Sequence, residues 1–390
     1  MSKVSTIVVY LLFFCYNLFG DMIMNKTKRE QQKLIIFFSK LSIGGMEKAL
    51  IDFIRKSSLK KRYDITLYVG YVLEKSYLEE IKKYAKVKVI CPIKWNFFGK
   101  IITSIRMNCD ILKFKLFKNR YDCAICYTHH HKILSKLARV ASDNNIVFVH
   151  TDLLKSRTKR QLKKLKKNVK FDAFKKVVCV SNCAKDAFMK IYPKYSGKVV
   201  VANNYINGND IIEKSREKVK DYNFDGITFI NIARHLEFHK QVSFIIEASN
   251  LLKKDGYKFK VLLLGDGPDH NFYQELVSKY DLQDCVTLLG SVINPYKYLK
   301  KSDAFVFSSD FEGYGIVLDE ARVLQVPIIT TDVADAKLIV EDGYGYLCEN
   351  SVDGIYKGMK DFLENGYKVK NFNYERFNDE ITKKINEIVG

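Results

Sequence analysis

"KLIIFFSKLSIGGMEKALIDFIRKS", residues 33–57, opens on five apolar side chains in a row, Leu34 to Phe38, and closes on apolar residues at helical spacing. An unbroken apolar run reads as a strand covered on both faces, because side chains of either parity then meet a hydrophobic layer. Ala49, Leu50, Phe53 and Ile54 fall three and four apart, the period of a helix that buries one stripe. Gly44 and Gly45 sit between the two, at the strand-to-helix turn. This is one step of a βα series, and it predicts a parallel sheet wrapped by helices.

Working outward, the step recurs. "DITLYVG", "VKVIC", "YDCAICY", "NIVFVH", "KVVCVS" and "KVVVAN" are strand-like, with "HKILSKLARVAS" among the helical segments between them. The series pauses at the polar, glycine- and asparagine-broken stretch "NYINGNDIIEKSREKVKDYNFD" (204–225), which reads as a linker. A second series follows through "ITFINIAR", "FKVLLLG", "VTLLG", "DAFVFSS" and "PIITT", and the chain closes on an amphipathic helix, "YERFNDEITKKINEI". The prediction is an α/β protein of two Rossmann-like, doubly wound domains facing a cleft. They span 33–205 and 226–372, joined by a linker at 206–225, with a C-terminal helix at 373–390 crossing back to the first domain. Residues 1–32 form an N-terminal extension. Its apolar run "IVVYLLFFCYNLFG" (7–20) is shorter than the ~20 residues of a standard span. With only Lys3 ahead of it and no small-residue cleavage site, it is a poor signal peptide. Residues 1–23 are expected to be an upstream mis-start, with Met24 as a second start, or a weak membrane anchor.

The 390 residues include 24 Tyr and 26 Phe, core material that a disordered chain lacks. The formal net charge, 65 − 44 = +21, calls for an anionic partner: nucleic acid, acidic lipid or a phosphorylated substrate. Nine cysteines without framework spacing point to reduced thiols in a cytoplasmic setting. "DCAICYTHHH" places Cys123 and Cys126 ahead of three histidines, but no second close pair follows at finger-like spacing. It reads as a buried strand running into a loop.

In doubly wound sheets ligands bind beyond the carboxyl ends of the strands, so the loops there were read for chemistry. Gly44 and Gly45 let a ligand approach the backbone at a helix start that favours an anion, or make a plain tight turn. Arg234 and Lys240, after "ITFINIA", suit a diphosphate, the one through its planar fork and the other as a compact charge. The alternative is a solvated surface pair. "GDGPD" offers a glycine bend near a ligand, or an Asp266 that bonds its own turn. "DFEGYGIVLDEA" (310–321) is the most informative stretch. Gly313 and Gly315 bare the backbone at a helix start, where amides and dipole hold a phosphate. Glu312 precedes that start and Glu320 lies more than a turn inside. Eight residues of helix rise ~12 Å, enough for two carboxylates to grip hydroxyls on either side of a diphosphate.

On these residues the chain resembles the retaining glycosyltransferases of family 4, which have the GT-B fold. "EGYGIVLDE" looks like their E-x7-E signature. "IGGMEKAL", "VCVS", "ARHLEFHK", "LLLGDGPD" and "VPIITTD" fall in the order that family shows, over about residues 33–390. The flavour is that of bacterial capsule, O-antigen or other surface-polysaccharide assembly. The resemblance implies that Glu312 holds hydroxyls of the donor sugar, with the backbone of Tyr314, Gly315 and Ile316 near sugar and phosphate. Glu320 would hold the ribose, Arg234 and Lys240 would neutralise the diphosphate, and Gly45 would face it from the other domain. Ser291 and Val292 would lie near the base, and His150 near the reacting centre and the acceptor. Two departures stand out. The Arg-to-Lys loop is one residue longer than the commonest pattern, so Lys240 or a neighbour could fill the role. The small residues usual after the second glutamate are replaced in "EARVLQVPI".

The expected activity is therefore retaining, metal-independent transfer of a sugar from a nucleotide-sugar donor to a glycan or lipid-linked acceptor. No D-x-D sequence occurs, the nearest being Asp310-Phe311-Glu312, and fixed cations with a helix N-terminus can stabilise the leaving diphosphate. No cofactor is expected. Two alternatives are a nucleotide-sugar 2-epimerase of the same architecture and, more remotely, a basic nucleic-acid-binding protein. The latter lacks stacking platforms within its basic run and any DNA- or RNA-binding signature. Residues 155–176 hold eleven Lys or Arg against one Asp. With Leu162, Leu165 and Val169 on one face, the segment reads as a basic amphipathic helix for an anionic membrane surface, or as a solvated charged face. "ILKFKLFKNR" (111–120) mixes phenylalanine with lysine in the same spirit. The expected location is cytoplasmic, peripheral on the inner face of the plasma membrane.

Overall fold

The computed structural model describes residues 31–390, apart from 43, 92–96 and 117–120. The N-terminal extension and the end of the second basic segment thus lie outside the described residues. The chain forms two parallel sheets. The first holds β1 (Gln32–Leu41), β2 (Tyr63–Val72), β3 (Lys86–Val89), β4 (Cys123–Cys126), β5 (Asn145–Val149), β6 (Lys176–Cys179) and β7 (Val199–Val201). Their order is β3-β2-β1-β4-β5-β6-β7. The second holds β8 (Thr228–Ile232), β9 (Lys260–Leu264), β10 (Val286–Gly290), β11 (Ala304–Phe307), β12 (Ile328–Thr331) and β13 (Gly345–Cys348), in the order β10-β9-β8-β11-β12-β13.

The apolar runs are continuous because both sheet faces are covered. On β1, Leu34, Ile36 and Phe38 enter one core while Ile35 and Phe37 enter another. On β8 and β9, Phe229, Val261 and Leu263 face one layer and Ile230, Leu262 and Leu264 the other. Alternate side chains of a strand point to opposite faces, so a strand between two helical layers is apolar on both parities, and a polar exception such as Asn231 of β8 bonds the Val306 carbonyl. The same alternation sends Cys123 and Cys126 into different cores. The pair therefore belongs to a buried strand and cannot share a metal ion.

Strand order reverses between β1 and β4 in one domain and between β8 and β11 in the other. These are the switch points at which crevices open. Helices α1 (Gly45–Lys56), α2 (Phe97–Leu116), α3 (Lys159–Val169), α4 (Tyr296–Leu299), α5 (Ile316–Val323) and α6 (Tyr374–Val389) bear on function. α1 follows β1 and α5 follows β11, and the two meet: a Cβ on Gly45 would lie 3.9 Å from Ile316 Cδ1.

The stretch between the sheets is not bare chain. Gly208–Ser215 is helical, and Ile206 and Ile211 are buried in the second domain's core. α6 belongs by sequence to the second half, yet Ile381, Ile385, Ile388 and Val389 pack into the first domain's core. The two crossings touch. Asn378 accepts from the Ile206 amide at 3.0 Å and donates to its carbonyl at 2.8 Å. Gly208 is needed there, because a Cβ would stand 2.5 Å from the Tyr374 ring.

Candidate active site

Glu312 sits on the loop between β11 and α5, in the cleft. Its Oε1 is ion-paired with Lys240 Nζ, accepts from Ser309 Oγ at 3.0 Å, and lies 3.5 Å from His239 Nε2. Burial alone would raise its pKa, but the neighbouring Lys240 and His239 hold the carboxyl down at about 2. It is a carboxylate at any working pH. Lys240 and His239 come from the one-turn helix Glu237–Lys240. His239 also bonds the Phe311 carbonyl at 2.7 Å and stacks on the Phe311 ring, so it positions the loop that carries Glu312. Lys240 thus meets Glu312 directly, whereas the sequence reading aimed it at a diphosphate alone.

Glu320, on α5, is buried and is held in the same fashion. Lys48 of α1 forms an ion pair with its Oε1, and the Tyr296 hydroxyl of α4 donates to that oxygen at 3.2 Å. In both glutamates Oε1 carries all the bonds from described residues. Oε2 is left over in each, and an ionised carboxylate has about four acceptor positions. Two fixed carboxylates, each with a free oxygen, can take hydroxyl groups of one ligand.

Between them, α5 begins without a side-chain cap, at Gly315 in the left-handed region (φ 77°). Its first amides have no partner within the helix and point their partial positive charge outward. Tyr314 turns inward: its hydroxyl donates to Asp319 Oδ2 at 2.5 Å, and its ring packs against the first domain's core. Its backbone, not its phenol, is what the loop can offer a ligand. Arg234 is exposed at the end of β8, and its guanidinium forms no ion pair among the described residues. The "GDGPD" turn sits behind it. A Cβ on Gly265 would stand 1.8 Å from the Ala233 carbonyl, one on Gly267 2.2 Å from that of His235, and Asp266 accepts from the Gly267 amide. The glycines allow this close loop packing, and Asp266 bonds its own turn.

The two domains touch backbone to backbone beside Glu312. A Cβ on Gly313 would lie 2.0 Å from the His150 carbonyl oxygen, and Ser181 of the first domain donates to the Gly313 carbonyl at 2.6 Å. The His150 ring lies against Tyr127 and Phe148. Its Nε2 is sealed from solvent with no partner among the described residues. Burial pushes its pKa down to about 3, so the imidazole is neutral. Ser291 is exposed and Val292 half-buried on the loop from β10 to α4. The structure thus gathers Gly45, His150, Lys240, Glu312, Tyr314, Gly315, Ile316 and Glu320 at the interface of the two domains. Arg234, Ser291 and Val292 stand on neighbouring loops of the second.

Sequence reading passed over Lys48, Tyr296, His239, Ser309 and Ser181. The only signal for Lys48 was its place three residues after the glycine pair. It left α3 open between two readings. Leu165 and Val169 are buried in the first domain's core and Leu162 is half-buried against it, so this apolar face is spent on packing. Lys163, Lys164, Lys166 and Lys167 remain exposed as a cationic surface. Exposed apolar residues occur instead on α2: Ile101, Ile105, Leu112 and Leu116, at spacings of four and seven. Among the described residues no helix is long and apolar enough to cross a membrane.

Two parallel-sheet domains closing on a shared cleft constitute the GT-B architecture. The protein of Anabaena crystallised with UDP and glucose, HepE, has the same fold, with a TM-score of 0.70 at 17% identity over 92% of this chain and 99% of that one. Residues 213–379 match the family Glycosyl transferases group 1. An uncharacterised glycosyltransferase of Methanocaldococcus jannaschii is 43% identical over 108 residues, 28% of this chain and 26% of its own length. The N-acetylgalactosamine-N,N'-diacetylbacillosaminyl-diphospho-undecaprenol 4-alpha-N-acetylgalactosaminyltransferase of Campylobacter jejuni is 31% identical over 172 residues, 43% of this chain and 45% of its own length. The matched part is therefore less than half of each of these relatives.

Proposed function

We propose that this protein is a retaining, metal-independent glycosyltransferase of the family 4 type, moving a sugar from a nucleotide-sugar donor to a lipid-linked or glycan acceptor in surface-polysaccharide assembly. The observation that carries the reading is the pair of half-satisfied glutamates flanking an uncapped helix start, across a cleft from His150. As the bond from sugar to diphosphate breaks, negative charge grows on the leaving phosphate. Stabilising it is an electrostatic task. Arg234 and the amides at the start of α5 supply positive potential there, and Glu312 takes a sugar hydroxyl through Oε2. Glu320 takes the ribose. His150, neutral, stands behind the reacting centre, and its Nε2 becomes available to a ligand only if the seam at Gly313 opens. The undecaprenol-linked substrate in the name of the Campylobacter relative supports an acceptor of lipid-linked class.

The test is a transfer assay. Purified protein is incubated with a panel of UDP-, GDP- and CMP-sugars, with and without a polyprenyl-diphosphate sugar acceptor, in EDTA. Transfer is expected from one donor, undiminished by EDTA and with the anomeric configuration of the donor kept. A new sugar nucleotide formed without acceptor would make the protein an epimerase, and strict dependence on Mg²⁺ or Mn²⁺ would end the metal-independent reading.

A lipid-linked acceptor gives the charge of +21 a purpose, and the reading includes peripheral attachment to the inner face of the plasma membrane. Support comes from the exposed lysines of α3 and the apolar stripe of α2, since apolar burial and attraction to anionic lipid add. Vesicles rich in phosphatidylglycerol are expected to sediment the protein at low salt and to release it at high salt, as screening shortens the electrostatic reach. Protein left in the supernatant at low salt would refute the attachment.

A further inference from the structure

Lys48 belongs to the first domain, but its ammonium ends on two groups of the second: the Glu320 carboxylate and the Tyr296 hydroxyl. Nζ also lies 4.8 Å from the centroid of the Tyr296 ring. Burial works against the charge, yet Glu320, Tyr296 and Asp52 outweigh it and raise the pKa, so the ammonium keeps its proton. The bond therefore joins the two domains across the cleft. It also uses only Oε1 of Glu320, so a ribose hydroxyl can be received on Oε2 while the lysine stays in place.

We propose that Lys48 is the positioning residue through which a bound nucleotide closes the cleft: it fixes the rotamer of the second glutamate for the ribose and ties retention of the nucleoside to contact between the domains. The inference rests on the donor site proposed above. Charge matters for two reasons. A carboxylate deprived of its partner in a buried setting turns toward water or takes up a proton, and either change spoils the hydroxyl acceptor. A cation across the cleft also links the two domains, by an interaction stronger at this mostly buried contact than in open water.

The test uses the full chain and titration calorimetry with UDP, GDP and CMP. Lys48→Met keeps the stem and removes the charge; Lys48→Arg keeps the charge. The nucleotide that binds the wild type is expected to bind K48M at least tenfold more weakly, with K48R recovering most of the loss. Small-angle scattering is expected to show nucleotide-dependent compaction in the wild type and none in K48M. Donor KM should rise far more than kcat falls. Tyr296→Phe, which removes only the hydroxyl sharing Oε1, serves where K48M fails to fold, and a severalfold weaker affinity is expected. Unchanged affinity and compaction in the folded variants overturn the role of Lys48 and leave the donor site standing. Failure of all three nucleotides to bind the wild type overturns both.

Discussion

Glu312→Gln is expected to lower kcat by about 100-fold or more, the scale seen when one preorganised electrostatic partner of a transition state is removed. The amide keeps the size of the side chain but can no longer offer two negative oxygens. Lys240 and His239 would then face a neutral group, in a spot where Lys240 Nζ and Glu312 Oε1 are paired and mostly shielded. Affinity for the nucleoside diphosphate should move little, because Glu320 and the start of α5 are untouched. A variant with more than a tenth of the wild-type kcat would remove Glu312 from the reacting centre. The same geometry makes a statement about pH. Lys240 and His239 hold Glu312 at about 2 against its burial, and burial holds His150 at about 3. Neither group changes charge between pH 5 and 8, so any limb of the kcat profile in that range must come from elsewhere. The sign for stability follows. A carboxyl held below its ordinary 4.5 stabilises the fold fully above that value, and the contribution fades as pH falls toward 2.

Gly313→Ala should be nearly as damaging to turnover, for a different reason. Gly315 needs its glycine for a left-handed backbone, whereas Gly313 needs it for space. A methyl group there would stand 2.0 Å from the His150 carbonyl oxygen and 2.5 Å from its carbon. Backbone on both sides cannot step aside as a flexible side chain would, so the domains must part by an ångström or more. Misplacement on that scale costs about 100-fold in rate when reacting groups come from both walls of a site. The Ser181 bond to the Gly313 carbonyl would lengthen with it. The clash falls beside Tyr314 and His150, which pack against the first domain's core, so some loss of thermal stability is expected as well, while nucleotide should still bind through the second domain. Measuring kcat and nucleotide affinity on the same preparation separates the outcomes, and a variant that turns over at the wild-type rate would show that the contact is dispensable.

Much of this was legible in the sequence, for identifiable reasons. Strands buried on both faces are largely apolar, so β1, β5 and β9 announced themselves, while β8 was legible although it buries Thr228 and Asn231. Glu312 and Glu320 stood out because glycines and a helix start lay between them. Lys48 did not, because one lysine among 65 basic residues has no local mark, and its partner is 272 positions away. Tyr296 was hidden likewise among 24 tyrosines. The apolar face of α3 stayed open between two readings because an amphipathic helix has the same pattern whether it lies on a membrane or on its own sheet. The helix Gly208–Ser215 was lost in a polar stretch whose three isoleucines, Ile206, Ile211 and Ile212, are what anchor it.

The chain passes between the domains twice, before Gly208 and again ahead of α6, and Asn378 laces the two passages side by side. A body hung on two adjoining cords swings more readily than it slides. Opening should therefore resemble a door turning on one jamb, with its free edge at the Gly45–Ile316 and Gly313–His150 seams. A fluorophore pair placed across those seams would change distance most, whereas a pair placed across the jamb would scarcely register the motion.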